Sequence, residues 1–309
     1  MIVVISVTAQ ESVISKWKSG AKLSDSNKRI VMKYLMSVDQ HIMVPGVFDA
    51  ISARLAEQVG FPVIYCGSYA TAASEFGLPD TYMVTWTEMA ANVRKVVNAT
   101  NIPVIADGEN GWGYATNMWR VVQALEQAGA AGIHIEDGEF GKHTDLPKTY
   151  QPLDLMVGKI KAAVDAREDP NFLIIARVDV TDMEDSVARS NAYLAAGADI
   201  VFPTGAWPKS SGLVAMKAFR DRIKGKVLTM GTGFSSTEEE YIGINIVLHY
   251  DYTIQAAYPA MKVALERLLK TDDINKTADL RSTAGFTDFI GTPAFIEDFN
   301  LFMKPYMKK

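Results

Sequence analysis

Cysteine is nearly missing from this chain. Cys66 stands alone among 309 residues, which excludes an intrachain disulfide and a Cys-based metal cluster. It sits in the apolar run Val63-Ile64-Tyr65-Cys66, where a buried, inert thiol is expected. No apolar run approaches the roughly 18–20 residues of a membrane span, so no membrane partner is expected. Basic residues are not in excess: the net charge is −5, without the basic stripe that nucleic acid requires. Met1 to Ala9 is apolar but short, and no basic residue precedes it, so a signal peptide is not expected. With 48% hydrophobic and 22% charged residues, these absences leave an ordinary globular enzyme, expected in the cytoplasm or another reducing compartment.

What is present is a repeating pattern. Eight β-type runs recur, at His41–Pro45, Pro62–Gly67, Pro103–Asp107, Gly132–Glu136, Phe172–Arg177, Ile200–Pro203, Lys226–Met230 and Asn245–His249. Between them lie segments of helical period, such as the face Met118, Val121, Val122, Leu125 and Ala128. Strands alternating with helices imply a parallel sheet, and eight units imply a closed (β/α)8 TIM barrel. An echo supports this: Gly60, Gly129 and Gly197 each stand where a helix ends before the chain re-enters the sheet, which suits a left-handed cap. Residues 10–38 read as leading helices, 39–270 as the barrel and 271–309 as a C-terminal helical extension. Phe286, Phe289, Ile290, Phe295, Ile296, Phe299, Leu301 and Phe302 make that extension too apolar to stand in solvent, so it is expected to pack on the barrel or on a neighbouring subunit.

The chemistry gathers at strand ends. Ile105-Ala106-Asp107-Gly108-Glu109 and Gly132-Ile133-His134-Ile135-Glu136-Asp137 both run from apolar residues straight into carboxylates. In a parallel barrel the carboxyl ends of strands meet on one face, so Asp107, Glu109 and Glu136 can converge on a hard divalent cation. The competing expectation is that these acids cap the helices that follow. The second run is followed by Gly67-Ser68-Tyr69-Ala70, whose backbone N–H groups can bind an oxyanion, and the fifth ends in Arg177, a planar fork for a carboxylate or phosphonate. Arg177 is equally suited to an ion pair with Asp179 or Asp199. The polar stretch Gly138 to Pro152, with Lys142, His143, Thr144 and Asp145, has the length of a lid. His134, between two isoleucines, is expected to pack between barrel and helix. No strand run places a lysine near its carboxyl end, which argues against a Schiff-base aldolase.

Val44-Pro45-Gly46-Val47-Phe48-Asp49-Ala50, Gly77-Leu78-Pro79-Asp80, Asp107-Gly108-Glu109-Asn110-Gly111-Trp112-Gly113, Ile135-Glu136-Asp137 and Ile175-Ala176-Arg177-Val178-Asp179 together resemble the isocitrate lyase/phosphoenolpyruvate mutase superfamily, from about residue 30 to 205. The resemblance implies an α/β barrel with a helix swapped between paired subunits, a homotetramer, and Mg²⁺ (or Mn²⁺). It implies a small 2-oxo or 2-hydroxy carboxylic acid substrate, and a C–C or P–C bond made or broken beside an enolate. By position, Asp107 matches the direct metal ligand, while Asp80, Glu109 and Glu136 match acids that hold metal-bound waters. Ser68, Tyr69 and Ala70 match the segment binding the substrate's carboxylate and oxyanion, Arg177 the substrate-binding arginine, and Lys142 the lysine of the gating loop.

The departures from that pattern are informative. Glu109 is one methylene longer than the family's usual Asp, and Tyr69 is bulkier than its usual small residue. Thr144 stands where isocitrate and methylisocitrate lyases carry a catalytic cysteine, and a hydroxyl is a far weaker acid than a thiol. Thr204 stands where those lyases tend to have Glu. His143, with an unperturbed pKa near neutrality, is the expected replacement acid/base. The stretch Phe140-Gly141-Lys142-His143-Thr144-Asp145 also partly resembles phosphoenolpyruvate mutases and phosphonopyruvate hydrolases, though Asp145 would repel a phosphoryl group it faced. Three readings follow: a Mg²⁺-dependent C–C lyase or hydrolase, an enzyme of P–C chemistry, and a barrel kept as a non-catalytic scaffold.

Overall fold

The computed structural model describes residues 7–38, 41–207 and 209–307. The first six residues of the apolar opening run, positions 39 and 40 where the barrel is expected to begin, and the last two residues of the C-terminal extension lie outside the described residues. The chain divides into two compact units, Met1–Ile254 and Gln255–Lys309.

All eight expected runs form strands, and they close into one parallel barrel. They are β1 (Ile42–Val47), β2 (Ile64–Cys66), β3 (Val104–Asp107), β4 (Gly132–Glu136), β7 (Leu173–Val178), β8 (Ile200–Pro203), β9 (Lys226–Met230) and β10 (Ile246–His249). Pairing proceeds round the barrel as β1-β10-β9-β8-β7-β4-β3-β2. The stretch expected as a lid contains two further strands, β5 (Gly138–Phe140) and β6 (Thr149–Tyr150), paired as an antiparallel hairpin.

Alternation along each strand sorts the residues into two cores. Val104, Ala106, Ile133, Ile135, Ile174 and Ala176 face outward, into the layer between strands and helices. Tyr65, Ile105, Leu173, Ile175, Phe202 and Leu248 face the barrel interior. That interior core continues into Val13, Ile14, Ile30, Val31 and Leu35 of the leading helices Val7–Lys18 and Asp25–Ser37, which therefore pack beneath the barrel. The opposite end, where the strands terminate, is left for the site.

Local signals set the helix boundaries. Asp49 with Ser52, Thr85 with Glu88 and Ser235 with Glu238 form capping boxes at three helix starts. Gly60, Gly129 and Gly197 take φ of 107°, 91° and 105°, the left-handed caps expected of them. Cys66 is buried, faces the outer layer 3.7 Å from Asn92 Nδ2, and burial pushes its thiol up to about 12.

The second unit holds most of helix Tyr252–Thr271 and helices Thr283–Phe289 and Thr292–Phe302. Leu265, Leu269, Phe295, Leu301 and Phe302 in it are exposed. No helix of the described residues is long and apolar enough to cross a membrane.

Candidate active site

Strand parity builds the site. Because Asp107 follows Ile105 by two, and Arg177 follows Ile175 by two, both side chains continue the inward row, past the apolar core, to the strand ends. Register then sets neighbours: Asp107 lies opposite His134, Glu136 opposite Arg177, and Arg177 opposite Phe202.

Asp107 is a fully engaged carboxylate. Its Oδ2 accepts from the Tyr65 hydroxyl at 2.8 Å, the Ser68 hydroxyl at 2.8 Å and the Ser68 N–H at 3.1 Å, while Oδ1 accepts from Glu109 N–H at 2.8 Å. Burial alone would raise its pKa. The adjoining Lys142 and the two N–H donors outweigh that and hold it well below the usual carboxylate range. Neither Asp107 nor Glu109 caps a helix. The helix after β3 begins at Asn117, and its Thr116 cap has no side-chain hydrogen bond. The capping expectation for these acids is thereby overturned.

His134 points into the barrel, against the expectation that it packs between barrel and helix. Its ring stacks on Tyr65 at 5.4 Å and meets Phe202 edge-on, and Nε2 lies 2.5 Å from the Tyr65 hydroxyl. Tyr65 gives its one proton to Asp107, so His134 must carry hydrogen on Nε2 and donate to the phenol oxygen. Burial lowers its pKa to about 4 and keeps the ring neutral. The isoleucines beside it, not the histidine, occupy the outer layer.

Lys142 descends from the hairpin into the acids. Its ammonium is 3.3 Å from Asp80 and 3.3 Å from Glu136, is bonded to Glu109, and donates to the Ser68 hydroxyl at 3.4 Å. Burial would discharge it, but Glu136, Glu109, Asp107 and Asp80 hold its pKa well above the ordinary value. Arg177 places Nη1 2.9 Å from Glu136 and Nε 2.9 Å from Asp179, which also accepts from Thr204. Asp199 pairs instead with Lys33 and Arg167. Two fixed cations thus face four buried acids, Asp80, Asp107, Glu109 and Glu136, and the partly buried Asp179. The surplus falls on Glu109 and Glu136, whose carboxyls burial pushes up, reinforced by neighbouring acids.

The loops carry strain where these groups meet. Glu109 has φ of 45°, held by its N–H on Asp107 and by its carbonyl, which accepts from Glu136 N–H at 2.8 Å. Gly108 is required because a Cβ there would lie 2.6 Å from the His134 carbonyl oxygen. The hairpin is tied at both ends: Gln151 N–H donates to the Asp137 carbonyl, and Arg189 donates to the Gln151 carbonyl and to the Asp137 carboxylate. Asp137 also accepts from Asp179 N–H at 2.8 Å, linking the hairpin base to Arg177's partner.

A cavity of about 410 Å³ opens over this cluster, lined among others by Asp80, Asp107, Lys142, His143, Arg177 and Thr204. Tyr69 lines it too, in a ring group with His143 and Tyr250. His143 Nε2 lies 3.2 Å from Asp80. Ser68, Ala70, Glu109 and Glu136 sit buried outside the lining, and the Ser68 N–H, an expected oxyanion donor, is held by Asp107. Thr144 is turned into the hairpin, donating to the Gly141 carbonyl and accepting from Leu146 N–H. Asp145 is exposed and outside the lining, so it is not placed to repel a phosphoryl group there. The expected set omits Tyr65, His134, Tyr82 and Tyr250; for the first two, inward parity with Ile105 and Ile175 is the signal that finds them.

The family model for phosphoenolpyruvate phosphomutase matches residues 32–269. The chain belongs to that family. It is 35% identical over 277 residues to a 2,3-dimethylmalate lyase of Eubacterium barkeri, covering 86% of this chain and 91% of that protein. The structure of a phosphoenolpyruvate phosphomutase from Streptomyces platensis subsp. rosaceus superposes with a TM-score of 0.82 at 28% identity, covering 89% of this chain and 99% of the other. A phosphonopyruvate hydrolase in complex with oxalate and Mg²⁺ superposes with a TM-score of 0.80 at 25% identity, over 89% of this chain and 99% of that one. Besides the phosphomutase, the relatives include lyases and hydrolases acting on small carboxylic acids.

The acids can be tested against a divalent cation on their own chemistry. They offer hard oxygen donors with surplus negative charge, and Glu109 Oε1 is buried with no hydrogen-bond partner among the described residues. With Lys142 among them, no three potential ligands among the described residues are gathered as a ready-made metal cluster. The donor set fits Mg²⁺.

Proposed function

We propose that this chain is a Mg²⁺-dependent carbon–carbon lyase acting on a small 2-oxo or 2-hydroxy carboxylic acid through an enolate. The observation that carries it is the surplus of buried carboxylates at the strand ends, beside Arg177 and beneath the hairpin. Asp107, with Asp80, Glu109 and Glu136 acting through waters, would hold the cation. When bound it supplies Lewis-acid polarisation of a substrate oxygen.

The chain's own groups do the rest. Arg177, locked by Glu136 and Asp179, presents its fork to a substrate carboxylate. In cleavage of a 2-hydroxy acid the hydroxyl proton passes to the carboxylate cluster and the bond between carbons two and three breaks. Carbon two becomes the carbonyl. The electron pair passes through carbon three into a carboxylate borne by carbon three as an enolate, and carbon three then takes a proton. His143, beside Asp80 and flanked by Tyr69 and Tyr250, is placed to give that proton. Lys142 ties the hairpin to the acids through Asp80, Glu109 and Glu136. The exposed apolar residues of Gln255–Lys309 support assembly with further copies, as a homotetramer.

The test is Mg²⁺ titration by calorimetry together with carbonyl-product release from a panel of 2-hydroxy acids. Binding and release that both vanish in Asp107→Ala are expected. Absence of both in the intact protein would leave the scaffold reading. Exposure of Asp145 keeps P–C chemistry as a second reading; phosphonopyruvate followed by ³¹P NMR decides it, since only that reading loses or moves the P–C signal.

A further inference from the structure

Tyr82 lines the cavity, yet the chemistry above leaves it without a part. It lies two residues after Asp80, on the loop before helix Trp86–Ala99. Its φ is 62°, in the left-handed region that suits glycine and strains a bulky residue. Such a conformation persists only where surrounding contacts hold it. Three contacts do so here. The hydroxyl donates to Glu136 Oε1 at 2.7 Å. The Lys142 ammonium stands over the ring, 5.2 Å from its centre. Gly138, which opens the hairpin, lies so close that a Cβ there would be 2.9 Å from the hydroxyl oxygen. The loop itself is anchored by Trp112 Nε1, which donates to the Val84 carbonyl at 2.8 Å. One side chain therefore meets the hairpin at its first residue and at its cation. It also holds the acid that this cation faces, since Glu136 Oε1 lies 3.3 Å from Lys142.

We infer that Tyr82 is a positioning residue: its ring seats Lys142 among the acids and its hydroxyl fixes Glu136, so that the hairpin is held against the site. The side chain, not the backbone, is what this position requires, because glycine would adopt φ of 62° without strain. A firm seat for Lys142 also bears on the divalent ion. Lysine and Mg²⁺ compete for the same carboxylates, so a better-held lysine leaves fewer molecules open to the ion and lowers its apparent affinity. That consequence, unlike the seat itself, rests on the Mg²⁺ reading above.

Tyr82→Gly removes the side chain while relieving the backbone, and Tyr82→Phe keeps the ring. Hydrogen exchange of residues 138–150 is followed by mass spectrometry in metal-free protein. It is expected to quicken at least about fivefold in Tyr82→Gly, with the barrel strands unchanged, and to stay within about twofold in Tyr82→Phe. Added to Lys142→Met, Tyr82→Gly should change exchange by less than about twofold, because the two side chains act as one contact. Unchanged exchange in Tyr82→Gly, or effects that multiply independently in the double variant, overturns the inference. Exchange in Tyr82→Phe as fast as in Tyr82→Gly also overturns the seat, since the ring is then not what holds the lysine. Calorimetry adds a readout that damage to the loop would move the other way. Mg²⁺ should bind Tyr82→Gly about threefold or more tightly than the intact protein; weaker binding overturns the inference. If Mg²⁺ binds none of the proteins, the Mg²⁺ reading fails and hydrogen exchange alone decides the inference. If exchange in Tyr82→Gly rises throughout the barrel, Tyr82→Asn, which also accepts this backbone, is scored by the same rules.

Discussion

Lys142 and Asp80 lie 3.3 Å apart, ammonium to carboxylate, and both are buried at the mouth of the barrel. This contact places a side-chain cation, carried by the hairpin, inside the cluster of acids that suits a divalent ion. Two positive charges cannot share one set of carboxylates at such range without strong repulsion, so Lys142 and Mg²⁺ compete for it. Lys142→Met should bind Mg²⁺ roughly tenfold more tightly by calorimetry, about 1.4 kcal/mol. In the intact protein, Mg²⁺ should raise hydrogen exchange within residues 138–150. Weaker Mg²⁺ binding by the variant would show that the lysine assists the ion instead.

His143 takes φ of 53° in the hairpin turn and reaches Asp80 at 3.2 Å. If it protonates carbon three, His143→Asn should lower kcat by about 10²–10⁴-fold with KM changed far less. Full turnover by the variant would remove His143 from the chemistry.

Thr144, expected from the sequence resemblance at the position of a lyase cysteine, has its hydroxyl bonded within the turn. Thr144→Cys is expected to leave kcat within about twofold, because the side chain points away from the cavity. Thr144→Ala should loosen the hairpin, seen as faster proteolysis at residues 141–148. A large gain in turnover for the cysteine variant would contradict this placement.

Arg177 bridges Glu136 and Asp179. Arg177→Met removes the shared partner of two buried acids, and such a break costs about 3–5 kcal/mol. Urea unfolding should show that loss, together with loss of turnover. Arg177→Lys restores charge but not the fork, so stability should recover more than kcat/KM does.

Lys159 is buried on helix Leu153–Ala166 and donates to the Asn110 carbonyl at 2.7 Å. Burial lowers its pKa from 10.5 to about 8. Between those values the unfolded chain binds more protons than the folded one, so this group makes stability rise with pH across that window. The difference in unfolding free energy between the intact protein and Lys159→Met should therefore change between about pH 8 and 10.5 and flatten outside it. A difference that does not vary with pH would mean that the amine titrates normally.

Much of this protein is written in local order. Eight apolar runs separated by helical periods, with Gly60, Gly129 and Gly197 ending helices, determine a parallel barrel, because period and cap chemistry are properties of neighbouring residues. The placement of Asp107, Glu136 and Arg177 at strand ends follows from the same order. Other features depended on which way a strand faces and on contacts far apart in sequence. His134 and Tyr65 turn inward because the parity of their strands, set by closure of the whole barrel, sends Ile133, Ile135 and Cys66 to the outer layer. Lys142 enters the acid cluster, while Thr144 does not, only because the stretch after β4 folds as a hairpin rather than an open loop. Local sequence thus determined the elements and the gathering of acids at the strand ends. Side-chain direction and long-range packing, which no short window encodes, decided what shares the cavity.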